Sequence, residues 1–134
     1  MIRQRGQSAV EFALMAPLVL FMILAAIYGG AMFIQFMNYS NEARTIAREI
    51  AVASDESQRE ERFNKYKGDA VGAVALYKVS AQTVLWKDNT EHEEYITGAD
   101  EVEVRFVFHH NIDFIFGFPP KSFAASYRMT LENN

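Results

Sequence analysis

Polar and apolar positions divide the chain into three stretches with different periods. Residues 12–34 carry no charged side chain. A helix of that length reaches about 35 Å at 1.5 Å per residue, enough to cross a hydrocarbon core of about 30 Å with some tilt. A secretory signal peptide would have an apolar core of only about 7–15 residues, with its cleavage site behind it. Arg3 and Arg5 precede the run, and no Lys or Arg follows until Arg44. The positive-inside rule therefore predicts a single span with a cytoplasmic N-terminus and an exported C-terminal part.

Beyond the apolar run, Ala43, Ile46, Ala47, Ile50 and Ala51 recur at three-four spacing, with Glu42, Arg44, Arg48 and Glu49 between them. This pattern predicts an amphipathic helix. No proline interrupts it, so the spanning helix is expected to continue to about residue 53, with a break conceivable over 38–41 and Tyr39 suited to the membrane interface. Ser57 and Glu60 then form a capping-box pattern. Phe63, Tyr66, Ala70, Ala73, Val74 and Tyr77 repeat at helical spacing, which predicts a second helix over about 58–79, with Gly68 as an interruption.

The period then changes to two. Residues 83–87 form a short apolar run ended by the turn-like pair Asp88-Asn89. Val102, Val104, Phe106 and Phe108 alternate with Glu101, Glu103, Arg105 and Val107, and Phe123, Ala125, Tyr127, Met129 and Leu131 alternate with small or polar partners. Both patterns predict half-buried strands of an antiparallel sheet, and a weaker strand is expected over 93–97. The fold class expected is α+β: a long N-terminal transmembrane helix continuing as an amphipathic stalk, a second helix, and a sheet of three or four strands. The segment 112–120 is apolar for a connection between strands. Phe114, Phe116 and Phe118 are expected to fold back over the sheet, which needs apolar cover in so small a domain; left exposed, they would form a docking surface.

Composition narrows the function. Without Arg3 and Arg5 the 13 basic side chains fall to 11 against 17 acidic ones, a net of −6, which argues against a nucleic-acid partner. The chain has no cysteine and so no disulfide or thiolate metal site. His109 and His110 are adjacent at a strand end and should point to opposite faces, and His92 has no helical ligand partner, so no metal or other cofactor is expected. No nucleophile elbow, phosphate loop or zinc motif occurs, and an enzymatic role is not expected.

The N-terminal region carries the most specific signal. A short basic leader ends at Gly6, and Glu11 stands five positions further on, at the lip of the apolar run. An unpaired charge buried in hydrocarbon costs about 2.5–3.5 kcal/mol or more, so that carboxylate needs a reason. GQSAVEFALMAPLVL, within residues 5–30, resembles the N-terminal motif of TadE/TadG-like proteins, the pseudopilins or minor pilins of the Tad (Flp-type) pilus system. The resemblance implies that a prepilin peptidase cuts between Gly6 and Gln7, that Glu11 is the pilin-type glutamate used in assembly, and that Phe12 stands where major Flp pilins carry tyrosine. Pro17 falls where these proteins often have a proline. The chain length fits the TadE or TadF type. The plainer reading of Glu11 is a first-turn acid complementing the helix dipole, worth about 0.3–1 kcal/mol. Ala25, Ala26, Gly29 and Gly30 form two small-xxx-small pairs that permit close helix packing, although glycine is frequent in membrane helices generally.

These readings divide the chain into a leader (1–6), a transmembrane helix (7–37) and an exported pilin-like domain (38–134). The function expected is that of a structural subunit of a Tad pilus, serving pilus biogenesis, adherence and surface colonisation. Its implied partners are the prepilin peptidase, other Tad minor pilins, the major Flp pilin, the inner-membrane assembly platform and membrane lipid. The expected location is the bacterial inner membrane, single-pass with a periplasmic C-terminal domain, or the extracellular pilus after assembly. The alternative is an uncleaved single-span scaffold of the secretion apparatus.

Overall fold

The computed structural model describes residues 2–68, 70–74, 76–112 and 120–132. The chain divides into two compact units, Met1–Ile34 and Gln35–Asn134. Helix α1, Ile2–Ala51, supplies the described part of the first unit and the opening segment of the second. The second unit adds helix α2 (Glu56–Lys65) and strands β1 (Ala70–Val74), β2 (Tyr77–Lys87), β3 (Thr90–His92), β4 (Glu101–His109) and β5 (Ser122–Thr130). The architecture is α+β, as the periodicity predicts.

In the first unit the helix carries no charged side chain over residues 12–34 and is largely exposed over residues 6–34. It is long and apolar enough to cross a membrane, and none of its apolar stretch is buried.

In the second unit all pairings are antiparallel, in the order β1-β2-β4-β5, with β3 joining β2 through the hairpin at its end. Period-two alternation sends Val102, Val104, Phe106 and Phe108 of β4 and Tyr77, Val79, Ala81 and Leu85 of β2 to one buried face. The amphipathic face of α1 covers it: Ala43, Ile46, Ala47, Ile50 and Ala51 are buried, as their spacing requires. The ring of Phe36 lies 6.1 Å from those of Phe108 and Phe123, Tyr39 lies 5.1 Å from Phe106, and the Arg44 guanidinium lies 5.4 Å from the Tyr127 ring. The helix therefore runs along the sheet from the Phe108 and Phe123 end toward the Val104 and Tyr127 level. No break occurs over 38–41, and Tyr39 is half-buried against the sheet.

Three local expectations are corrected. The second helix stops at Lys65: Tyr66 is its C-cap, and Gly68, at φ +79°, turns the chain while its N–H donates to the Ala81 carbonyl. Residues 70–74 and 77–79 then pair as strands, because antiparallel hydrogen bonding to β2 and β4 outweighs the helical preference of an alanine-rich run. The N-cap of α2 is Asp55, in extended conformation, and Ser57 donates to the Asp55 carboxylate inside the first turn instead of forming a capping box. Residues 93–97 are not a strand; the third strand is the short Thr90–His92, and the sheet has five strands. The Asp88-Asn89 turn is a two-residue hairpin loop with φ of 50° and 61° joining Lys87 to Thr90, the left-handed pair that a type I′ turn demands. Phe114, Phe116 and Phe118 lie outside the described residues.

Candidate processing and assembly segment

Gly6, Gln7, Glu11 and Phe12 lie within α1 in the first unit. Glu11 and Phe12 are exposed, and a β-carbon added at Gly6 would meet nothing within 4 Å. The Gln7 amide Nε2 donates to Glu11 Oε1 at 3.4 Å, one helical turn away. This is the i,i+4 reach that an α-helix gives two long polar side chains.

The helix start changes the meaning of Glu11. Helix α1 begins at Ile2 and has no acidic residue in its first turn. The dipole effect falls off within the first turn, and Glu11 stands nine residues beyond Ile2, too far along this helix to serve as a helix-start acid.

Ala25, Ala26, Gly29 and Gly30 are all exposed, and β-carbons at the two glycines would meet nothing within 4 Å. Ala25 contributes to a shallow apolar notch with Phe21, Leu24, Ile27 and Tyr28. The small side chains leave backbone accessible in an otherwise bulky apolar surface, which is the condition for close helix approach.

The second unit carries a polar cluster that the sequence pattern alone does not assemble. On the sheet face opposite α1, Arg105 forms a bidentate pair with Glu91 at 2.9 and 3.0 Å and bonds Glu103 at 2.8 Å. Trp86 Nε1 donates to the same Glu103 at 2.9 Å, and Arg128 stacks over the Trp86 ring at 4.0 Å while pairing with Glu101. The hydrogen bond from Arg105, helped by Trp86, holds the Glu103 carboxyl below its ordinary range, although burial opposes this. The same pairs raise Arg105. The alternation of Glu101, Glu103 and Arg105 signals a polar face, but only the strand register brings Trp86, Glu91 and Arg128 to it. Because every charge has a near partner, the cluster locks β3 and β5 onto the sheet.

The histidines separate as adjacent strand positions must: His109 is exposed and bonds Asn111 at 2.6 Å, whereas His110 is buried against the Tyr77 ring at 4.9 Å. Among the described residues no three His, Asp or Glu side chains converge as metal ligands.

No curated protein and no solved structure matches the chain. Residues 6–48 match the family model described as TadE-like protein, the stretch that holds Gly6, Gln7, Glu11 and the whole apolar run. The matched stretch coincides with the part of α1 that is long and apolar enough to cross a membrane. Over residues 6–48 the chain is similar to the TadE-like family, and the match does not extend into the sheet of the second unit.

Proposed function

We propose that this protein is a minor pilin or pseudopilin, a structural assembly subunit of a Tad pilus without enzymatic activity of its own. A prepilin peptidase cuts it between Gly6 and Gln7, and Glu11 then serves assembly with the major Flp pilin, other minor pilins and the inner-membrane platform. The leader (1–6) stays cytoplasmic, the apolar helix anchors the chain, and the second unit is periplasmic before assembly carries it toward the fibre. The observation that carries this reading is the position of Glu11 within the TadE-like match: nine residues beyond Ile2 in α1, but fifth from Gln7. Cutting exposes an amine at Gln7, and a cation at the membrane edge is costly without a partner. Glu11 of a neighbouring subunit supplies the opposite charge.

Intact-mass measurement of the protein from its native membrane tests the cut. Loss of residues 1–6 in a strain with the peptidase, and full length without it, is the expected result. Full-length protein with the peptidase present would favour the alternative, an uncleaved scaffold. Normal processing of Gly6→Arg would equally overturn the assigned site.

A further inference from the structure

The sheet of the second unit has two edges, and they are not alike. On one side stands β1, whose register with β2 shifts between Ala70 and Gly72, together with the three-residue β3. On the other stands β5, which holds nine consecutive pairs with β4. Edge strands carry unpaired backbone groups and are ordinarily guarded by proline, lysine, a bulge or brevity. Residues 122–130 contain neither proline nor lysine, and their pairing has no bulge. Their one charge, on Arg128, is engaged by Glu101 and the Trp86 ring.

The hydrogen bonds at the two ends of β5 fix which of its backbone groups are free. The His110 N–H donates to the Lys121 carbonyl, and the Leu131 N–H donates to the Asp100 carbonyl. Opposed residues of an antiparallel pair alternate between those that exchange hydrogen bonds and those that do not. Counted from either end, Phe123, Ala125, Tyr127 and Met129 bond to β4. Ser122, Ala124, Ser126, Arg128 and Thr130 turn their N–H and C=O groups to the open edge, and all five are exposed. Among the described residues no strand lies beyond β5.

The side chains give this edge two unlike flanks. On the α1 side stand Tyr127, 36% exposed, and the half-buried Phe123 and Met129. The exposed Arg44 lies over the Tyr127 ring at 5.4 Å, and among the described residues no carboxylate pairs with it. On the other flank Ser122, Ala124 and Ser126 offer only small side chains. A strand added here would lengthen the apolar face with its own apolar residues, and a carboxylate at the Tyr127 level would meet an unpaired cation.

We propose that the open edge of β5 receives an extended segment of a partner polypeptide, which adds a strand to the sheet. The segment alternates apolar side chains, set beside Phe123, Tyr127 and Met129, with small polar ones, and it carries one carboxylate that reaches Arg44. Main-chain bonds to residues 122–130 supply the affinity, and the alternating side chains supply the choice of partner. The inference goes beyond the assembly reading and depends neither on cutting at Gly6 nor on Glu11.

Amide exchange measured by NMR on the full-length protein in detergent micelles tests it. The probe is a synthetic peptide that alternates threonine with valine and carries glutamate in place of one valine. In the free protein the amides of Ala124, Ser126 and Arg128 should exchange fast, and those of Ala125 and Tyr127 slowly. Saturating peptide should slow the first set by about tenfold or more. A lysine in place of the peptide's glutamate should weaken this protection, and Arg44→Glu should restore it. Ser126→Pro removes only an outward N–H, a position where an edge strand tolerates proline. It should keep Ala125 and Tyr127 protected while abolishing the response to peptide, whereas Ser126→Ala should retain it. Slow exchange at Ala124, Ser126 and Arg128 in the free, dilute protein would show the edge already covered by its own chain and overturn the proposal. Protection that grows with protein concentration alone would assign the edge to a second copy and overturn it equally. So would no response to peptide, a response that survives Ser126→Pro, or one indifferent to the charge exchange.

Discussion

The Tyr39 hydroxyl lies 2.9 Å from where a β-carbon on Gly72 would stand. The contact joins the last part of α1 to β1 at the place where the register of β1 shifts between Ala70 and Gly72. Tyr39 is also held by Phe106 and Phe108, so its ring has little freedom to yield. Gly72→Ala should destabilise the second unit by about 1–3 kcal/mol, the usual range for overpacking. Tyr39→Phe, which removes the oxygen, should recover part of that loss in the double variant. Denaturant unfolding of the four proteins measures this; strictly additive effects would show that the contact is not the cause.

Arg59 is a buried cation on α2, and its Nη2 donates to the carbonyls of Ala53 at 3.4 Å and Glu132 at 2.9 Å. It joins the end of α1, α2 and the segment after β5. Arg59→Met keeps the apolar stem but leaves both carbonyls without this donor, at a cost of about 1–3 kcal/mol. Proteolysis should then cut first near residues 52–55 or beyond residue 131. Unchanged stability and an unchanged cleavage pattern would remove Arg59 from this role.

The cluster around Glu103 predicts a dependence on pH. A carboxyl held below its ordinary value by Arg105 and Trp86 stabilises the folded state above the unfolded value, about 4.3 for a glutamate. That stabilisation is lost as pH falls through the lower folded value. Wild-type stability should thus decline more steeply below about pH 4.3 than that of Glu103→Gln. Parallel curves would show that Glu103 is not a source of the acid sensitivity.

Glu11→Ala should leave cutting after Gly6 intact while impairing piliation or incorporation into the assembly complex. Glu11→Gln, which keeps the reach to Gln7 but not the charge, should behave like Glu11→Ala. If either variant makes pili normally and cofractionates with pilins, the charge at residue 11 has no part in assembly.

Periodicity made much of this fold legible. The runs at 43–51 and 102–108 bury the positions their spacing selects, because one face of each has a single place to go, whereas in the run 123–131 Ala125 and Leu131 are buried, Phe123 and Met129 are half-buried and Tyr127 is exposed. The misread stretch, 70–79, is alanine-rich with apolar residues at spacings that suit a helix or a strand. Long-range pairing of Lys78 with His109 decides between them, and no local pattern carries that information. The same holds for the outer face, where the sequence separation between Glu91 and Arg105 hides a bidentate pair. In the apolar segment the chemistry lies in a motif and not in a pocket, so residues 6, 7 and 11 stand out in the sequence more clearly than in the fold.

The position of Phe36 governs how the second unit can be isolated. Its ring meets Phe108 and Phe123, so a fragment starting at residue 38 would lack an aromatic plug at one end of its core. Starting at Gln35 retains it, at the expense of carrying Met37, exposed at 43%, into water. Solubility and completeness therefore pull the cut site in opposite directions, and a polar replacement at Met37 in a fragment beginning at Gln35 reconciles them.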